Sequence, residues 1–65
     1  MKIFVNGASH ETQALDVAAA LAQLGHGDSV VATALNGVFV PVGSRAVARL
    51  MEGDRLEILA PMQGG

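Results

Sequence analysis

The chain opens on an alternation. Met1, Ile3 and Val5 fall on one side of an extended backbone and Lys2, Phe4 and Asn6 on the other, which predicts a strand over residues 1–6 with one buried face. Asn6-Gly7 follows as a two-residue hairpin signal, because both residues accept positive φ. The return strand is expected around His10–Ala14, polar and exposed on one side. From Leu15 the period changes. Val17, Ala20, Leu21 and Leu24 recur at helical spacing and form one apolar stripe. Asp16 stands where an N-cap acceptor is needed, and Gly25 suits the left-handed cap that ends a helix.

Beyond a linker at residues 26–29, Val30–Leu35 is an apolar, partly β-branched run of the kind found in interior strands. A second Asn-Gly pair, Asn36-Gly37, predicts another hairpin, with Val38-Phe39-Val40 returning as far as Pro41. Residues 42–51 read as a looser excursion holding one short helical turn within Ser44–Leu50. Glu52-Gly53-Asp54 is a tight turn, and Arg55–Ala60 a closing strand with Leu56, Ile58 and Ala60 inward. The order is hairpin, helix, hairpin, excursion, strand. A right-handed crossover then joins the first hairpin to the later strands. The simplest closed solution is an α+β fold: a mixed four- to five-stranded sheet with one helix across one face, a β-grasp.

Composition narrows what such a domain can do. Sixty-five residues make one small domain, expected over 1–60, and a chain of this size buries only about 60% of its unfolded surface. There is no cysteine, which excludes disulfides and thiolate metal ligands. The net charge is −2 and the four basic residues, Lys2, Arg45, Arg49 and Arg55, are dispersed, so nucleic acid is not the expected partner. No apolar run approaches the ~20 residues of a membrane span, and no signal-peptide pattern opens the chain. The expected compartment is the cytoplasm. His10 and His26 lie apart, with no ligand spacing, and read as surface residues; no metal site is expected. Gly25-His26-Gly27 follows a helix and lacks the strand-before-helix setting of a dinucleotide loop. Ser9, Ser29 and Ser44 have no base-and-orienter set, and Arg45 with Arg49 reads as a solvated face.

The candidate chemistry lies in the last five residues, Pro61-Met62-Gln63-Gly64-Gly65, read as a flexible tail. Pro61 cannot donate to a sheet, so it marks where the tail leaves the last strand. Five extended residues reach about 16–18 Å. Gly65 has no Cβ to hinder its carboxylate, and Gly64 adds backbone angles closed to other residues. Such a tail can enter a narrow slot and put a carboxylate beside a nucleotide phosphate. The competing reading is a disordered chain end.

Taken together, Ala34-Leu35-Asn36-Gly37, Val40-Pro41, Leu50-Met51-Glu52-Gly53-Asp54-Arg55-Leu56-Glu57-Ile58 and the Gly64-Gly65 end resemble the ubiquitin-like sulfur carriers of thiamine biosynthesis, the ThiS type. The resemblance runs across nearly the whole chain. Val42 departs from it, standing where many members carry an arginine. The resemblance implies a protein cosubstrate rather than an enzyme, with no bound cofactor. An adenylating enzyme similar to ubiquitin-activating enzymes would use ATP and magnesium to convert the Gly65 carboxylate into an acyl adenylate. A sulfur donor, usually fed by a cysteine desulfurase, would turn that into a thiocarboxylate, and thiazole synthase would take the sulfur.

If the alternation is right, Phe4 and Leu59 point away from the helix-covered face, with Phe39 on a neighbouring strand. The three form a candidate docking surface for the partner enzymes. Phe39 has a second reading, packed beneath the 42–50 excursion. Met62 and Gln63 are expected to line the entrance of a partner's channel. Monomer is the default state of a domain that must dock on others. Rival readings are the small subunit of molybdopterin synthase, a regulatory binding module resembling the TGS domain, and a modifier that forms isopeptide bonds. The first shares the double glycine in a longer chain, the second has no use for it, and the third begins with the same adenylate.

Overall fold

The structure is a computed structural model that describes residues 1–27 and 29–60. Asp28 and residues 61–65 lie outside the described residues, and with them the readings made for Pro61, Met62, Gln63, Gly64 and Gly65. Five strands and one helix follow in the order β1 (Lys2–Val5), β2 (Ala8–Glu11), α1 (Val17–Gln23), β3 (Ala32–Leu35), β4 (Val38–Val40) and β5 (Arg55–Leu59). A single 3₁₀ turn, Val42–Ser44, falls between the last two strands. The sheet order is β2-β1-β5-β3-β4, mixed, with β1 and β5 parallel and the other pairs antiparallel. This is the β-grasp arrangement that the element order predicts.

Both hairpins form on their Asn-Gly pairs. Asn6 and Gly7 have φ of 50° and 86°, and Asn36 and Gly37 have 51° and 83°. Positive φ at both central positions gives a turn whose twist matches that of the strands it joins. The two-residue turn sets Val5 directly opposite Ala8, so β2 occupies Ala8–Glu11 rather than the expected His10–Ala14. The sequence Ala8-Ser9-His10-Glu11 carries no apolar alternation to announce this, and all four residues are exposed.

The helix has only seven residues, below the length at which helices persist in water unaided. Its ends and its buried face supply the rest. Asp16 accepts from the Ala19 N–H at 2.8 Å, while the Val17 and Ala18 N–H groups donate to the carbonyls of Ala48 and Arg45. The first-turn donors are thus satisfied by one side chain and by the 42–51 excursion. At the other end Gly25, at φ +86°, donates to the Ala22 carbonyl and His26 to that of Leu21. That pair of bonds is a Schellman closure. Val17, Ala20 and Leu21 are buried and Leu24 half-buried, against Ile3, Val5, Leu56 and Ile58 from the sheet.

Arg45 does not belong to a solvated face. It is half-buried; its guanidinium donates to the Val31 carbonyl through Nη2 and to the Thr33 hydroxyl through Nε. The bond to Val31 ties the residue just before β3 to the excursion. Ladder pairing begins at Ala32, opposite Leu59, and residues 30–31 have no strand beside them. Val30, expected in the strand, precedes the ladder and is exposed, while Val31 packs into the core. Ala60, expected inward, is exposed for the same reason, since pairing of β5 ends at Leu59. The helical turn of the excursion also sits earlier than expected. It starts beside Pro41, whose φ of −61° sets up the bonds Ser44 N–H to Pro41 O and Arg45 N–H to Val42 O.

Candidate docking face and the strand that carries the tail

β5 lies in the middle of the sheet, parallel to β1 on one side and antiparallel to β3 on the other. Its burial alternates: Leu56 and Ile58 are buried under the helix, and Arg55, Glu57 and Leu59 face away. The same register sends Phe4, Ala32, Ala34 and Phe39 to the open face, because Phe4 pairs with Arg55, Ala32 with Leu59, and Ala34 with both Glu57 and Phe39.

Two of the three expected docking residues meet. Phe39 and Leu59, 66% and 67% exposed, line a shallow groove of about 120 Å³ together with Ala32, Thr33, Ala34 and Glu57. The groove exists because β3 presents only alanines on this face between the larger side chains of β4 and β5. Phe39 is not covered by the excursion, which runs against the helix through the Ala48 and Arg45 carbonyls.

Phe4 lies elsewhere on the same face. It sits on β1 beside Arg55, at the end of β5 remote from Leu59, with β5 and β3 between it and β4. It is half-buried, and Lys2 Nζ lies 5.7 Å from its ring centroid, within cation–π range. Sequence alternation assigns the face of each residue and says nothing about distance along it, which depends on strand order. Glu57 was not singled out from the sequence, although its place between Leu56 and Ile58 already put it on the open face.

The residues set aside as structural are dispersed. Ser9 and His10 lie on β2, Ser44 in the 3₁₀ turn, and Ser29 donates its N–H to the His26 carbonyl. Among the described residues, no three His, Cys, Asp or Glu side chains gather as a metal cage, and no helix is long and apolar enough to cross a membrane.

Fold and face together define a small ubiquitin-like β-grasp protein, with an open apolar groove beside the end of its central strand. The chain belongs to the ThiS family, whose family model matches residues 3–65. A solved structure of the thiamine biosynthesis protein (ThiS) from Geobacter metallireducens matches it over 100% of both chains, at 28% identity and a TM-score of 0.84. No curated protein matches the chain by sequence.

Proposed function

We propose that this chain is a sulfur carrier of thiamine biosynthesis whose Gly65 carboxylate is the reacting group. The observation that carries the reading is the extent of the family match, which runs through residue 65 and so takes in Gly64 and Gly65. The carboxylate attacks the α-phosphorus of ATP in the active site of a ubiquitin-activating-type enzyme, releasing pyrophosphate and leaving an acyl adenylate. Magnesium and ATP are bound by that enzyme. A carboxylate is a poor electrophile; its AMP ester offers a stable leaving group. The terminal sulfur of a donor persulfide, loaded by a cysteine desulfurase, displaces AMP at the acyl carbon. A second thiol then cleaves the resulting acyl disulfide, leaving a disulfide on the donor side and the thiocarboxylate on Gly65. Thiazole synthase takes the sulfur from it.

In this scheme the chain supplies no acid, base or metal. Its work is presentation. The groove of Phe39 and Leu59 docks on the partner while Met62 and Gln63 pass through the channel entrance and Gly64 lets the backbone reach the nucleotide. The carrier acts as a monomer in the cytoplasm.

The test is the intact mass of the protein after incubation with ATP, magnesium, the adenylating enzyme of its host and a sulfur source. The expected result is a shift equal to one oxygen exchanged for one sulfur, lost on deletion of Gly65. An unchanged mass with an enzyme that adenylates a known carrier overturns the reading.

A further inference from the structure

We propose that Glu57 reads the charge of the docking partner, so that the surface seated on the groove carries an arginine or lysine next to its apolar anchor. The proposal rests on the docking reading above and adds the chemistry of the partner to it. Three observations carry it.

The first is position. Glu57 is exposed, shares a rung of the sheet with Ala34 and Phe39, and lines the groove with Leu59. It is the only charged residue in a lining otherwise made of Ala32, Ala34, Thr33, Phe39 and Leu59. The second is that Glu57 forms no ion pair within the chain, although Arg55 lies two residues along the same face of β5. Among the described residues the one ion pair joins the Met1 ammonium to Glu11 on the edge strand β2, with β1 between it and β5, and no lysine or arginine of the chain pairs with Glu57. The third is the floor. Ala32 and Ala34 are too small to cover the carboxylate, so an incoming side chain can reach it along the groove. A guanidinium is the best fit, because its flat faces stack on an aromatic ring such as Phe39 while its N–H fork meets the carboxylate.

Seating an uncharged apolar surface on this groove would strip water from Glu57 without replacing its hydrogen bonds, which disfavours such partners. A basic partner is selected by the same group that rejects a neutral or acidic one. Charge complementarity of this kind sets specificity and association rate as well as affinity.

The experiment measures association of the full-length chain with the purified host adenylating enzyme across a salt series, for wild type, Glu57→Gln, Glu57→Lys, Phe39→Ser and the control Glu11→Gln. Urea midpoints confirm that each variant folds. Glu57→Gln is expected to weaken binding about tenfold and to flatten its salt dependence, because the lost pair is the one that salt screens. Glu57→Lys weakens it further, and Glu11→Gln, which removes the same charge elsewhere, leaves it within about twofold. If Phe39→Ser weakens binding while Glu57→Gln does not, the charge-reading proposal is overturned and the groove stands. If neither changes binding, both are overturned. A weakening by Glu11→Gln equal to that by Glu57→Gln also overturns it, since net charge alone would then explain the effect.

Discussion

The side chain of Asn6 holds Ile58 by both of its backbone groups. The Ile58 N–H donates to Asn6 Oδ1 at 2.8 Å, and Asn6 Nδ2 donates to the Ile58 carbonyl at 3.1 Å. With the Asn6 N–H on the Leu56 carbonyl at 2.9 Å, the parallel pairing of β1 with β5 continues for a rung after the β1 backbone has turned away. Asn36 does similar work on the other flank. Its N–H donates to the Arg55 carbonyl at 2.7 Å and its Oδ1 accepts from the Arg55 N–H at 2.9 Å. The residue type that each hairpin turn requires thus also fastens the last strand.

Asn6→Asp keeps a residue that tolerates positive φ and keeps the acceptor, but loses the donor and sets a carboxylate against the Ile58 carbonyl. A cost of about 1–2 kcal/mol is expected. Asn6→Ala loses both bonds and adds left-handed strain, for about 2–4 kcal/mol in all. Against a total of roughly 3–10 kcal/mol for a chain of this size, either is large. Urea midpoints measure both, and equal midpoints for Asn6→Ala and wild type would refute the clamp.

Asp16→Ala removes the acceptor for Ala19 and should lower stability by about 1 kcal/mol. Asp16→Asn should restore most of it, since an amide oxygen caps nearly as well. Far-UV circular dichroism with a denaturant series distinguishes the two; equal losses would argue that the charge, and not the bond, is what matters.

Two glycines make an internal control for backbone strain. Gly25 sits at φ +86°, whereas Gly43 lies within the 3₁₀ turn with no atom within 4 Å of an added Cβ. Gly25→Ala is expected to destabilise by about 1 kcal/mol. Gly43→Ala is expected to be neutral or to stabilise by up to about 1 kcal/mol, through a less flexible unfolded chain. Thermal midpoints moving in the same direction for both would contradict this.

Phe39→Asp places a second carboxylate in the groove and is expected to weaken association with the adenylating enzyme by a hundredfold or so, with the fold intact. Phe4→Asp should weaken it less, because two strands lie between Phe4 and Phe39, and should cost more stability because Phe4 is half-buried. Titration calorimetry and a denaturant curve for each variant check both halves. A larger binding loss for Phe4→Asp would move the docking centre to the β1 end of the sheet.

Much of this architecture was legible in the residues, and for identifiable reasons. Turn chemistry was the clearest signal: Asn-Gly twice, then Gly53, which indeed lies at φ +85°. The helix was legible because Asp16, the apolar stripe and Gly25 all agreed. What the sequence did not carry were the long-range contacts. Arg45 looks like any surface arginine until the excursion brings it to Val31, and Ala8–Glu11 has no alternation to mark it as a strand. The docking face was half legible. Period-two patterning put Phe4 and Leu59 on one side and left Phe39 between two readings; grouping them depends on the order β1-β5-β3-β4, which no local pattern encodes.

The place of β5 between two neighbours has a mechanical meaning. A partner that draws the chain beyond Leu59 into its own channel pulls along the axis of the central strand, with the β1 and β3 ladders loaded in shear. A strand at the edge of the sheet, pulled outward, would unzip one rung at a time. Here the rungs on both flanks share the load and must yield together, so the domain can be tugged by its end and released without being peeled open.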